Sequence, residues 1–318
     1  MKNRGIVIFL IVLALVIIGV ITSDFMSKRP DKMDSNQFEY SVDEFKKVDK
    51  DLIHYKETKN FKIGFDEPTA ITIENNKIYI TGDKKLKVID SSGKLLKEIL
   101  FEDKPRSVEV AGGKIYIAFK KQIQVLTENG ELQKEWNLTD EKSFITAVAV
   151  SNGNVFVADA GARKIIRFST EGEKLNEFNG KATEDEFGFI IPSPYFDIDI
   201  NDDGELWAVN PGMHALENYT FEGNLRSHWE RTSMKTDGFS GCCNPAHYTF
   251  LHDGSFVTSE KGLVRIKIYK PSGEFSGVVA PPAKFKNAEH APDVAVDSED
   301  NIYALDFDRK VLRVFELK

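Results

Sequence analysis

At 318 residues, with 41% hydrophobic and 29% charged side chains, the chain is long enough for a sizeable core and has the composition of an ordinary globular protein. A formal net charge of −8, with no long tract of one sign, argues against a nucleic-acid partner. The 23 phenylalanines and frequent Val and Ile favour strands over helices.

The N-terminus departs from this composition. Lys2 and Arg4 precede an apolar run from Ile6 to Ile21, flanked by Gly5 and Thr22. As a helix, residues 5–22 span ~27 Å at ~1.5 Å each, close to the hydrocarbon thickness of a bilayer. The positive charges on the short side keep that end in the cytoplasm. The remainder then faces the periplasm or the extracellular side of the cytoplasmic membrane. A cleaved signal peptide is the alternative, but the apolar stretch is long for one and Ile21-Thr22-Ser23 is a poor small-x-small site. The expectation is an uncleaved single-pass anchor over residues 1–23, touching the membrane through residues 5–22. A polar stalk over 24–50 follows, with Pro30 and room for a short helix near Val42–Val48.

From Pro68 onward the chain repeats one phrase. Its clearest copy, AVAVSNGNVFVADAGARKIIRFSTEGEKLNEF over 147–178, alternates apolar and polar residues in four runs separated by Gly-bearing turns, the pattern of consecutive hairpins. Gly153 to Gly172, Gly204 to Gly223 and Gly254 to Gly273 are each 19 residues apart. Repeats of ~40–50 residues with four strands each predict propeller blades. The sixth copy, DVAVDSEDNIYALDFDRKVLRVFELK, stops before its fourth strand. An orphan strand at Asp51–Thr58 can supply it and close the ring. The predicted fold is all-β, a six-bladed propeller over 51–318.

VFVADAGARKIIRF (Val155 to Phe168) and YALDFDRKVLRVF (Tyr303 to Phe315) resemble the NHL-repeat family, whose phrase is a strand ending in Asp, a Gly/Arg loop and a strand ending in Phe. The first two copies depart from it, with Gly82 and Phe119 in the place of Asp159. The stretch around GCCNP also resembles a segment of membrane-anchored or secreted bacterial NHL proteins. The resemblance implies a six-bladed propeller and is nearly silent on activity, because such propellers host binding modules and enzymes alike.

The prolines at 68, 105, 194, 245 and 292 each precede an inner strand. The loops before Pro194 and Pro245 are the longest, and long loops on one face of a rigid scaffold are where binding concentrates. Cys242-Cys243-Asn244 should therefore lie at the channel mouth, with His247 at the start of an inner strand. These cysteines are the chain's only two. Adjacent Cα atoms stand ~3.8 Å apart, below the ~4.4 Å minimum of an unstrained disulfide. In an oxidising compartment a strained intraloop disulfide is the default, giving a stiff lip. Two other readings stay open. One is a soft Cu(I) or Zn(II) site from Cys242, Cys243 and His247, with His214 as a neighbour-blade candidate. The other is a thiol-redox pair.

Asp197-Ile-Asp199-Ile-Asn201-Asp-Asp203-Gly204 matches part of a calcium loop, but Asn210 stands where a Glu is needed, so a hairpin turn is expected. Asp159, Asn210, Glu260 and Asp306 recur at one place per blade and read as scaffold, with Glu260 kept as a binding candidate because it shares a blade with the cysteines. No catalytic motif is present. The expected function is an extracytoplasmic, membrane-anchored binding or scaffold propeller. It would grip a protein or small-molecule ligand at the mouth through Cys242, Cys243, Asn244, His247 and Glu260. A thiol-redox protein, or a propeller lyase or hydrolase using a bound metal, is the competing expectation.

Overall fold

The computed structural model describes residues 3–26, 43–181, 183, 187–286 and 290–318. The chain divides into two units, residues 1–42 and 43–318. The first carries one helix, Asn3–Met26. Its Gly5–Ser23 stretch is long and apolar enough to cross a membrane and buries none of its side chains in protein. Such a helix serves either as an anchor or as a signal sequence. The stalk expected over 24–50 falls largely on 27–42, outside the described residues; its last part holds a 3₁₀ turn, Glu44–Lys46.

In the second unit, 24 strands among the described residues form six four-stranded antiparallel sheets. Five are built from consecutive strands, within residues 68–100, 107–137, 145–178, 198–230 and 247–280. The first strand of each sheet packs on the first strand of the sheets to either side. Asp293–Val296 of the sixth sheet packs on Pro68–Glu74 of the first, which closes the ring. The molecule is thus an all-β six-bladed propeller, as the repeats predict. Its core is six apolar layers, one between each pair of facing blades.

The recurring glycine of each outer turn explains the spacing of the repeat. Gly172 and Gly273 have φ of +86° and +78°, conformations that suit glycine. A Cβ on Gly172 would stand 2.9 Å from the Trp136 ring, and one on Gly273 2.5 Å from that of Trp229. In the first five blades the last turn thus seats a large apolar side chain from the outer strand of the blade before it, an aromatic one in every case but Gly130, which meets Ile99.

The sixth blade is closed as expected, by a strand from the other end of the chain. Tyr55–Lys62 runs antiparallel to Val311–Leu317, from Tyr55 opposite Leu317 to Lys62 opposite Val311. It begins four residues later than the sequence suggests. The Asp49 carboxylate accepts the Asp51 N–H at 3.1 Å and winds Lys50–Leu52 into a 3₁₀ turn, so the extended chain starts only afterwards.

Candidate functional site

The inner strands line a channel, and their register places one residue from each blade at one level: Ala70, Ser107, Ala147, Asp197, His247 and Asp293. Each is paired with the residue just before the recurring loop position occupied by Gly82, Phe119, Asp159, Asn210, Glu260 and Asp306. The ring is lopsided. Blades one to three contribute small side chains, and blades four to six contribute Asp, His and Asp.

The ionisable half of the ring converges. His247 Nδ1 lies 3.6 Å from Asp197 Oδ2 and 3.6 Å from Asp293 Oδ1. Among the described residues this is the one grouping of three or more His, Cys, Asp or Glu whose donor atoms all fall within 4.8 Å of one another. Both carboxylates are held by backbone. Asp197 accepts the N–H of Ile198 at 3.0 Å and that of Tyr248, from the next blade, at 3.1 Å. Asp293 accepts from Val294 and from Ile71 of the first blade, both at 2.9 Å. Burial opposes a charged imidazole, but Asp293 and Asp197 outweigh it and hold His247 above the usual histidine value. Burial pushes the Asp293 carboxyl up to about 6 against the pull of His247.

A second acidic level lies two residues further along the strands. Asp199 accepts from Ile200 N at 2.8 Å and Thr249 Oγ1 at 3.0 Å, and burial pushes its carboxyl up to about 7. Burial and the nearby Asp199 likewise hold Glu109 well above the carboxylate range. Asp199 and Asn201 belong to the channel wall and the following turn, in agreement with the hairpin expectation.

At the strand starts the channel opens into a cavity of about 590 Å³ floored by Asp197 and His247. Its wall mixes Lys104, Arg106, His290 and Asp308 with Phe144, Tyr195 and Phe307. Arg106 lies 4.0 Å over the Phe144 ring, and the Tyr195 ring stands edge-on to His247 at 5.5 Å. At the opposite end the channel opens into a second cavity of about 490 Å³, bordered by Glu109, Asp199 and Asp293.

The cysteine turn sits one layer back from the mouth. Cys242 is exposed and Cys243 buried, both as free thiols with their sulfurs 3.0 Å apart. Neither lines the cavity. They reach it through the loop that bears Tyr195: Cys243 bonds to Ser193, and Lys261 Nζ stands 3.4 Å from Ser193 Oγ and 4.9 Å from the Tyr195 ring. Burial raises the Cys243 thiol, and Ser193 and Lys261 pull it back. Asn244 is a strut rather than a wall residue. Its Oδ1 accepts Lys261 N at 2.9 Å and its Nδ2 donates to Lys261 O at 3.0 Å. The two ring nitrogens of His214 meet Thr232 Oγ1 and the carbonyl of Gly241, next to Cys242.

Glu260 is fully buried. It takes a two-pronged bond from Arg265, at 3.0 and 2.8 Å, and an ion pair from Lys267 at 2.7 Å, and it borders neither end of the channel. Its equivalent Asp159 accepts from Ser143 Oγ, Phe144 N and Ala162 N, which is the loop-capping role expected of this position.

The structure thus pairs Cys242 with Cys243 and places His214 beside them, but directs His247 into the channel. The four metal candidates do not form one cluster. Asp197 and Asp293 are the site residues that sequence reasoning missed. Aligning the six copies on their inner strands puts both in the column of His247, and that column was the available signal.

Neither a protein-family model nor a curated protein matches the sequence. Among solved structures, a streptogramin B lyase matches with a TM-score of 0.59 at 17% identity, over 83% of this chain and 97% of that one. A virginiamycin B lyase from Staphylococcus aureus matches with 0.59 at 17%, over 83% and 100%. A protein of unknown function from Bacteroides thetaiotaomicron matches with 0.60 at 15%, over 80% and 70%. At these identities the likeness shows the six-bladed propeller fold alone.

Proposed function

We propose that the chain is a membrane-anchored, extracytoplasmic binding propeller that captures a small polar molecule at the channel mouth. The lopsided ring carries this reading. Asp197 and Asp293 each clip the next blade's backbone, as Ser107 does, and the imidazole of His247 between the two carboxylates faces the mouth cavity. The cavity above supplies both signs of charge and three aromatic faces, which suits a ligand with separated charges and a planar group. Lys2 and Arg4, ahead of the apolar helix, support an N-in, single-pass arrangement in the cytoplasmic membrane.

Native mass spectrometry of the protein, extracted gently from its own membranes, tests this. A small molecule should stay bound and be lost in Tyr195→Ala and Arg106→Ala. If no such adduct survives, and a library of polar metabolites produces no thermal shift, the reading fails.

A second reading is acid–base catalysis. His247 sits on the cavity floor between two carboxylates, an arrangement able to accept a proton from a bound substrate. Two of the fold neighbours are lyases, and a catalytically inactive virginiamycin B lyase has been solved with quinupristin. Quinupristin is therefore the first compound to offer. A chromatographic shift lost in His247→Ala supports catalysis, and an unchanged compound removes that substrate.

A further inference from the structure

We infer that Asp197, His247 and Asp293 form a binding site for one divalent transition ion of the zinc class, at the waist of the channel between its two cavities. The inference rests on the proposed role of the mouth and deepens it, because Asp197 and His247 floor the mouth while Asp293 borders the cavity beneath.

Distance is the first argument. At 3.6 Å from each carboxylate, the imidazole is shared between the two and sits beyond the ordinary hydrogen-bond distance of both. The same spacing suits coordination. Ligands ~2.1 Å from a tetrahedral ion stand ~3.4 Å from one another. His247 stands 3.6 Å from each carboxylate, and all three donor atoms lie within 4.8 Å of one another.

Charge and orientation point the same way. Two carboxylates on a largely buried channel floor carry two negative charges, and among the described residues His247 is the basic group within 4 Å of both. A divalent ion with a neutral imidazole balances both. Each carboxylate is aimed by two backbone N–H groups, one of them from the neighbouring blade. Such outer partners fix a ligand's direction before the ion arrives. The bonds also tie blade four to five and blade six to one, so the ligands ride on the rigid ring and not on a loop.

The donor set decides the ion. One nitrogen and two oxygens are borderline, which suits Zn²⁺, Co²⁺ or Mn²⁺. Calcium takes six to eight oxygens, and Cu(I) prefers sulfur. Three protein ligands leave a fourth position for water or for an atom of the captured molecule.

The test uses full-length protein in detergent, stripped of metal and titrated with Co²⁺, followed by Zn²⁺ competition and elemental analysis. One ion per chain is expected, with visible cobalt bands and no sulfur-to-cobalt charge-transfer band. His247→Ala and Asp293→Asn should each weaken Zn²⁺ binding by ~100-fold or more, while the double variant Cys242→Ser, Cys243→Ser binds as the parent does. Far-UV circular dichroism checks folding, and His247→Gln serves if the alanine variant does not fold. No bound ion at saturating Zn²⁺, binding indifferent to both channel substitutions, or binding abolished by the cysteine pair would overturn the inference. Small-molecule capture by a protein that binds no ion at saturating Zn²⁺ would remove the ion and leave the mouth reading standing. An ion without any captured molecule would do the reverse.

Discussion

Arg313 grips Glu57 with two prongs, Nε to Oε1 at 3.1 Å and Nη2 to Oε2 at 2.8 Å, so the last strand of the propeller holds the first across 256 residues of chain. The guanidinium is fully buried and also donates from Nη1 to Asp306 at 3.2 Å and to the Lys284 carbonyl at 3.0 Å. Arg313→Ala leaves the buried Asp306 with only Arg309, 3.9 Å away, and should cost about 3 kcal/mol. Denaturant titration measures the loss. A loss under about 1 kcal/mol would show that the strand ladder closes the ring unaided. The pH dependence has a definite sign. The Arg313 hydrogen bond holds the Glu57 carboxyl below the usual range. Its contribution is present above the unfolded carboxylate pKa and is lost as pH falls through the lower folded value.

Asp199 has the opposite sign. Burial raises its carboxyl to about 7. The protonated form is the one the fold tolerates, so its stability is full below the unfolded value of ~3.9 and is lost as pH rises to about 7. Asp199→Asn should remove that loss. An amide oxygen still accepts the Ile200 N–H, and the Thr249 hydroxyl can turn to accept from the new NH₂. The variant is expected to melt several degrees above the parent at pH 8 and near it at pH 4.5. Equal shifts at both pH values would place the effect in packing instead.

The propeller was legible because its marks are local. A glycine with positive φ against a large apolar side chain of the previous blade recurs in five blades, and the missing last strand left a counterpart at the other end. The start of that strand was misplaced because Asp49 stops extended chain by a side-chain bond that strand periodicity does not register. The site was half legible. His247 shows itself as the first residue of an inner strand. Asp197 was hidden in a stretch that looks like a calcium loop, and Asp293 looked like an ordinary strand start. They meet His247 only because the ring brings together positions some fifty residues apart. The cysteine turn drew attention by composition, yet Asn244 straps it to Lys261 and leaves Tyr195 to line the mouth.

That strap makes the two thiols unequal. Cys242 is exposed, and Cys243 is buried with its thiol raised. Thiolate reactivity follows access and ionisation. Iodoacetamide should therefore label Cys242 first, and Cys243 only after unfolding, as peptide mass spectrometry would show. With diamide as oxidant, the neighbouring sulfurs should lose two hydrogens within one chain and form no crosslinked dimer. A disulfide dimer on a non-reducing gel would mean that the pair does not close on itself.

The buried cluster beneath this loop separates a needed anion from a dispensable cation. Glu260 faces two cations, Arg265 and Lys267, and all three are fully buried. Burial lowers the Lys267 amine to about 8 despite Glu260. The penalty for its charge is present below that pH and fades as pH climbs toward the unfolded value of ~10.4. Lys267→Met leaves a neutral Arg265–Glu260 pair, and Arg265 Nη2 still donates to the Gly238 carbonyl at 3.1 Å. This variant should lie within about 1 kcal/mol of the parent at pH 7 and lose the rise in stability between pH ~8 and ~10. Glu260→Gln strands two buried cations and should cost about 3–5 kcal/mol. Denaturation of both variants at pH 7 and pH 9.5 separates the cases. If Lys267→Met proves the more damaging, its bonds to Gly238 and Glu260 outweigh the cost of burying the amine.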